Sequence, residues 1–171
     1  GYEMVPYSER FQWLISHELV HIVANDMPSD FEKSLRSVTG KINPDKAQPL
    51  TAFYSLLTNH NRYTPRWYQE AIAVFIETWF SGGYGRILGN FDEMYFRSLV
   101  NDDQNFPGLS EIENVTSHTS ILLENILYLY GTRFIAYLSY KYGTQKLYDW
   151  FSIRPNEFYP GLESKFEKVF N

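Results

Sequence analysis

The stretch His17-Glu18-Leu19-Val20-His21 lies inside an apolar run that extends from Phe11 to Ala24. An apolar run of this length, preceded by Ser8 as a possible N-cap, is typical of a helix. Because apolar side chains fall nearly all round it, we expect this helix to be buried. Helical residues four apart share a face and lie about 5.4 Å from each other. The two imidazoles are therefore placed to bind one metal ion.

Glu18 suggests what such an ion would do. It lies about 100° round the helix from His17, so its carboxylate is expected beside the metal. There it can take a proton from an attacking water, which is the arrangement of a hydrolytic zinc site. Histidines are also common as half-buried core residues, and a pattern with three defined positions can arise by chance. Two histidines and a glutamate on a buried helix nevertheless need partners, which a metal and its water would supply.

Length, charge and composition narrow the class of protein. The length of 171 residues predicts one domain, residues 1–171, large enough to bury a sizeable core. Acidic residues outnumber basic ones by 20 to 15 without a basic cluster, which argues against nucleic acid as a partner. No apolar stretch approaches the roughly 20 residues that cross a bilayer, so we expect a soluble chain. The lack of cysteine excludes disulfides and thiolate metal ligands. Aromatic residues form 18% of the chain, and some of them are expected to face a partner.

Helical periodicity and turn residues predict a mainly α fold. Ser29 or Asp30 can begin the second helix, and Thr64 can cap a later helix that has Pro65 at its first position. Alternation of apolar and polar residues is scarce, and only residues 2–5 could belong to a strand end. After the first helix, the predicted helices cover about 30–36, 50–59, 65–80, 90–101, 120–142, 144–151 and 161–170.

A metal held by two histidines needs a third protein ligand that leaves a position open for water. Glu70 lies in the otherwise apolar first two turns of the predicted helix 65–80, where a carboxylate is costly unless it is paired or bound to metal. The helix dipole offers a simpler reason for an acid near a helix N-terminus. Glu77 lies seven residues later on nearly the same face. It can either orient a ligand histidine through the other ring nitrogen or be a solvated glutamate.

Four further polar residues leave their roles open. Asn25 and Asp26 can support His21 or simply end the first helix. His60 and His118 could contact a substrate, but their polar surroundings make exposure the simpler expectation. Neither histidine is therefore placed in the candidate site.

The first helix and the helix that carries Glu70 together resemble the gluzincin branch of zinc metallopeptidases. The resembling residues are His17-Glu18-x-x-His21 and, later, Pro65-Arg66-Trp67-x-x-Glu70-Ala71-x-Ala73. The second group is similar to the pattern WxxEGxA, with alanine at position 71 where glycine is usual. The segment from Tyr128 to Gly143 is similar to the one that follows the zinc helices, so the resemblance covers roughly residues 3–151.

This resemblance implies a fold, a site and a reaction. The fold would be a zincin-like helical metallopeptidase domain that hydrolyses peptides or proteins, with Zn²⁺ bound by His17, His21 and Glu70. Glu18 would be the general base. Tyr128 aligns with the tyrosine that stabilises the oxyanion, and Tyr130 is the next candidate.

The resemblance also carries expectations about the protein's surroundings. The chain also resembles bacterial envelope proteins in which such a domain precedes a Tol-type β-propeller, which implies an extracytoplasmic location in the periplasm or cell envelope. Gluzincin clefts resemble one another in having a β-rich lobe before the HExxH helix, and only residues 1–7 could belong to it here. We therefore expect a fragment of a longer chain with at most a remnant of that lobe and little peptidase activity by itself.

Two other functions fit the same residues. The chain could be a catalytically silent module that keeps zinc for structure and presents aromatic side chains to a partner. It could also be an assembly platform whose site holds no metal. The presence of Glu18 favours turnover, because only turnover requires the base.

Overall fold

The computed structural model describes residues 10–42, 48–80, 90–106, 108, 111–112, 121–152 and 161–171. Most of them lie in eight α-helices, and none of the described residues lies in a strand. The predicted mainly α fold is confirmed, whereas Ser8 and the possible strand end at residues 2–5 lie outside the described residues. The helices are α1 (Arg10–Asn25), α2 (Asp30–Thr39), α3 (Pro49–Thr58), α4 (Arg66–Phe80), α5 (Asn90–Asn101), α6 (Ile121–Tyr142), α7 (Thr144–Phe151) and α8 (Leu162–Phe170), with a 3₁₀ helix at His60–Tyr63.

Local sequence signals explain where α2 begins and where α6 ends. Ser29 is the N-cap of α2, and its hydroxyl accepts from the Glu32 backbone N–H at 3.3 Å. The Glu32 carboxylate accepts from the Ser29 backbone N–H at 2.8 Å, which completes a capping box. Gly143 follows α6 with a φ of 87°, a left-handed conformation that glycine adopts without a Cβ clash. The predicted boundaries at these positions follow from such short-range interactions.

The chain divides into two compact units, each made of two separate stretches. The first unit comprises Gly1–His21 and Pro65–Tyr137, and the second comprises Ile22–Thr64 and Leu138–Asn171. In the second unit, Trp150 of α7 packs against Phe166 and Phe170 of α8. The prediction of one domain over residues 1–171 stays a prediction. Within the described ranges, no helix is both long enough and apolar enough to cross a membrane.

In the first unit, α4 is largely buried, whereas α1 is more exposed than its sequence predicted. Nine of the 15 residues of α4 are buried, among them Trp67 and Ala71. On α1 the side chain of His17 is buried, but Leu19 is 53% exposed. The prediction of a buried first helix is wrong, because burial depends on which elements cover a helix and not on its composition. Among the side chains of α1 that the structure describes, from position 14 onward, the exposed large apolar ones are Leu14, Ile15, Leu19, Ile22 and Val23.

His60 in the second unit also differs from its prediction. Its backbone N–H and its Nδ1 lie 2.9 and 3.0 Å from Oε1 of Glu32, and its side chain is only 11% exposed. Burial raises the pKa of Glu32, but the hydrogen bonds from His60 and Ser29 outweigh it and hold this pKa below its ordinary value. The expectation that His60 is exposed is wrong, since a buried carboxylate 28 residues earlier binds it. His118 lies outside the described residues.

Candidate metal centre

The structure brings the three predicted metal ligands together in the first unit. One turn of α1 separates His17 from His21, and their Nε2 atoms lie 3.0 Å apart. Oε2 of Glu70 on α4 lies 3.3 Å from each of these nitrogen atoms. The three atoms form a nearly equilateral triangle, and the three residues are a group that could hold a metal ion. The alternative that Glu70 is only an acid near a helix N-terminus does not account for this position.

Glu77 orients the more buried of the two histidines. Its Oε2 lies 2.8 Å from Nδ1 of His17, and both side chains are almost fully buried. Because a carboxylate oxygen accepts, Nδ1 of His17 donates this bond, and Nε2 is the ring nitrogen that faces Glu70 and His21. Of the two roles open to Glu77 from the sequence, the structure supports the acceptor and not the solvated side chain. Metal-binding histidines in proteins are commonly oriented in this way.

Glu70 is electrostatically suited to bind a cation. Burial raises the pKa of its carboxyl group, but the adjacent His17 and His21 imidazoles outweigh burial and lower this pKa from 4.5 to about 2. The carboxylate is therefore ionised at neutral pH. Within the described part of the chain, its buried Oε2 has no hydrogen-bond partner despite the two nitrogen atoms 3.3 Å away. A buried carboxylate oxygen without a hydrogen bond is costly, and a cation would satisfy it.

The spacing and chemical type of the donor atoms can be compared with known coordination. Tetrahedral zinc, with ligands at about 2.0 to 2.2 Å, separates pairs of ligand atoms by about 3.3 to 3.6 Å. Octahedral magnesium at about 2.1 Å separates neighbouring ligands by about 3.0 Å, so the observed spacing alone does not select the metal. Magnesium takes oxygen ligands, whereas imidazole suits zinc and related transition metals. Two imidazoles and one carboxylate therefore fit a divalent transition-metal ion.

The remaining predicted site residues lie on α1 and α6. Glu18 is exposed on α1, next to His17 in sequence and about 100° from it around the helix. The ring of Tyr128 on α6 lies 6.4 Å from the His17 ring, measured between centroids. Tyr130 instead packs against Phe96, and its hydroxyl lies 3.4 Å from that of Tyr95. The geometry therefore favours Tyr128 over Tyr130 as the tyrosine of the site.

The two open residues at the end of α1 belong to the second unit. Asp26 follows the last residue of the helix, and its carboxylate binds Arg36 at 2.9 Å and Lys41 at 2.7 Å. Asn25 is the last residue of α1. Both positions agree with the interpretation that these residues end the helix.

Comparisons with known proteins add no relative to this description. A scan against protein-family models, a search of curated proteins and a search of solved structures each found no match to the chain. The resemblance to gluzincins therefore rests on the residues themselves and stays a prediction.

Proposed function

We propose that this protein is a zinc-dependent metallopeptidase of the gluzincin type that acts on a peptide or protein substrate. The observation that supports it most is the triangle formed by Nε2 of His17, Nε2 of His21 and Oε2 of Glu70. Glu70 adds a buried oxygen that no described group satisfies by a hydrogen bond. Glu18 is exposed and directly follows His17 on α1, which suits it to act as a base on a water molecule at the centre.

Each residue of the centre has a defined task in this proposal. A bound zinc ion would supply a Lewis acid and make a water molecule acidic enough to lose a proton near neutral pH. Glu77 keeps His17 in the tautomer that leaves Nε2 free of a proton, and Glu70 contributes a negative charge to the ligand set. These three residues prepare the centre before any substrate binds.

The proton and bond changes involve Glu18 and Tyr128. Glu18 accepts a proton on its carboxylate as the oxygen of water forms a bond to the carbonyl carbon of the peptide. It then gives that proton to the amide nitrogen as the carbon–nitrogen bond breaks, which releases an amine and a carboxylic acid. Tyr128 is assigned to stabilise the negative carbonyl oxygen by donating a hydrogen bond from its hydroxyl group. Its ring position beside His17 supports this assignment.

The test combines metal analysis with peptide cleavage in the wild type, Glu18→Gln and Glu163→Gln. Glu163 is exposed on α8 and has no part in the proposed centre, so its replacement makes the same chemical change at an unrelated residue. We expect about one zinc ion per chain in all three proteins. Cleavage of a mixed peptide library, read by mass spectrometry, is expected from the wild type and Glu163→Gln but not from Glu18→Gln.

The possible outcomes separate the proposal from its rivals. A wild-type protein that fails to bind zinc even when zinc is added would refute the metal centre. Zinc-dependent cleavage that persists in Glu18→Gln would refute the general base. Zinc binding without cleavage of any peptide would instead favour a catalytically silent module.

The silent module has one observation in its favour, the exposure of large aromatic side chains. Tyr140 on α6 is 92% exposed, and Phe53 on α3 and Phe80 at the end of α4 are also exposed. Such side chains are available to a partner protein.

The resemblance that supports a peptidase also supports an extracytoplasmic location, which we include in the proposal.

A further inference from the structure

Gly131 of α6 lies so close to α4 that a side chain at this position would have no room. A Cβ atom placed on Gly131 would lie 2.8 Å from Cβ of Ala71 and 2.9 Å from the carbonyl oxygen of Trp67. Carbon atoms in contact normally lie about 3.5 to 4.0 Å apart. One of these two neighbours belongs to the helix backbone, which cannot move aside as a side chain can. Gly131 is therefore the residue that allows the two helices to lie this close.

This contact involves the turn of α4 that carries a proposed metal ligand. Trp67 and Ala71 are one helical turn apart, and Glu70 lies between them in the sequence. Ala71 is fully buried and Trp67 nearly so, which leaves this turn little freedom to adjust. Relief of the contact with Ala71 alone would need a movement of about 0.7 Å, whereas metal–ligand distances vary by about 0.2 Å. A shift of α4 would therefore take Glu70 out of bonding distance.

The same part of α6 faces the centre through Tyr128. Tyr128, Gly131 and Phe134 are spaced three residues apart, so they lie along one side of the helix. The rings of Phe134 and Trp67 lie 6.2 Å apart, and the ring of Tyr128 lies 6.4 Å from that of His17. The separation of α4 and α6 at Gly131 thus governs the positions of Glu70 and Tyr128 together.

We infer that Gly131 is a positioning residue, which sets the metal affinity of the centre by holding the Glu70 turn of α4 against α6. The inference rests on the metal centre of the proposed function. It assigns to Gly131 a role that differs from general packing, because the residue has no side chain to contribute to a core. Its contribution is the absence of the atoms that would separate the two helices.

The decisive variant is Gly131→Ala in the otherwise intact chain. A glycine-to-alanine change inside a helix normally favours the helix, so lower stability in this variant would itself report the clash. We expect the zinc dissociation constant, measured by chelator competition, to rise about 10- to 100-fold, as when a residue that supports a metal ligand is changed. The visible absorption bands of bound Co²⁺ should also change, because they respond to the arrangement of the ligands.

Two further variants distinguish positioning from loss of stability. Ile135→Ala removes a fully buried side chain from α6 one turn later, so it lowers stability without forcing the helices apart. It should keep the wild-type zinc affinity and Co²⁺ spectrum. The double variant Ala71→Gly with Gly131→Ala removes the 2.8 Å contact but keeps the one with the Trp67 carbonyl, so affinity should return in part. This double variant carries the test if Gly131→Ala alone does not fold.

The results that overturn the inference are specific. If Gly131→Ala folds, wild-type zinc affinity and an unchanged Co²⁺ spectrum in this variant would show that Gly131 does not position Glu70. If only the double variant folds, the same two results in the double variant would show this. An equal loss of affinity in Ile135→Ala would assign the effect to stability. If the wild-type chain binds no zinc at all, both the proposed function and this inference fail. If the wild type binds zinc and the Gly131 variants bind it equally well, only the inference fails.

Discussion

Replacement of Glu77 by glutamine tests the hydrogen bond that orients His17. The bond joins Nδ1 of His17 to Oε2 of Glu77 over 2.8 Å, and its two side chains are 5% and 0% exposed. Glutamine keeps the size of the side chain and can still accept through its amide oxygen, but it removes the negative charge and buries an amide group. Hydrogen bonds to charged groups are roughly twice as strong as those between neutral groups. His17 should therefore become a weaker and less well-oriented ligand.

The expected size of the effect follows from the burial of this pair. Because water does not compete for the bond, we expect the full effect seen for groups that support a metal ligand, a rise of about 10- to 100-fold in the zinc dissociation constant. This range corresponds to about 1.4 to 2.7 kcal/mol of binding free energy. Chelator competition at pH near 7.5 would measure it for Glu77→Gln, for Glu70→Gln and for the exposed control Glu163→Gln. Only the control should bind zinc as the wild type does.

Two results would contradict this reasoning in different ways. A zinc dissociation constant within about threefold of the wild-type value in Glu77→Gln would show that the bond to His17 does not support metal binding. A loss of zinc as complete as in Glu70→Gln would indicate that Glu77 is itself a ligand. Thermal unfolding of the metal-free variants serves as the check that each protein is folded before its zinc affinity is compared.

Three further predictions concern the ligands, the oxyanion and the buried carboxylate of α2. Glu70→Ala and His21→Ala should each lose zinc on dialysis, because the two remaining protein ligands compete poorly with water and buffer for the ion. Full zinc content in Glu70→Ala would show that Glu70 is not a ligand. Tyr128→Phe should lower kcat by about 10²- to 10³-fold with zinc content unchanged, while Tyr130→Phe should not lower kcat. Equal rates in the two variants would assign the stabilisation of the oxyanion to another residue. The folded-state pKa of Glu32 is lowered, so its stabilising contribution is present above the unfolded value of about 4.5 and is lost as pH falls through the folded value. Glu32→Gln should therefore lower the free energy of unfolding more at about pH 7 than at about pH 3, and an equal loss in urea titrations at both would contradict the assignment.

The sequence determined by itself those features that depend on neighbours within a few residues. The order of the described helices, the start of α2 at Ser29 or Asp30 and the end of α6 before Gly143 follow from helical period, capping and conformational preference. The common face of His17 and His21 belongs to this class, since it is set by helical spacing alone. Helical spacing likewise places Glu70 and Glu77, which are seven residues apart on α4, on nearly the same face, whatever residues they contact.

Only the tertiary structure decided which of these faces meet and which remain exposed. It brought Glu70 to the two histidines and Glu77 to Nδ1 of His17, although the sequence allowed each acid to be an ordinary helix charge. It left α1 with exposed apolar side chains and buried α4, two helices of similar apolar character.

The pairing of Ala71 with Gly131 is the clearest case of a feature that needs the tertiary structure. In the sequence, the alanine is only a departure from a pattern that usually has glycine at position 71. In the structure, its methyl group occupies space that Gly131 leaves open on the neighbouring helix. Burial and helix contacts depend on atoms far apart in the chain, so local rules predict which helices form, while packing between distant segments decides which residues act together.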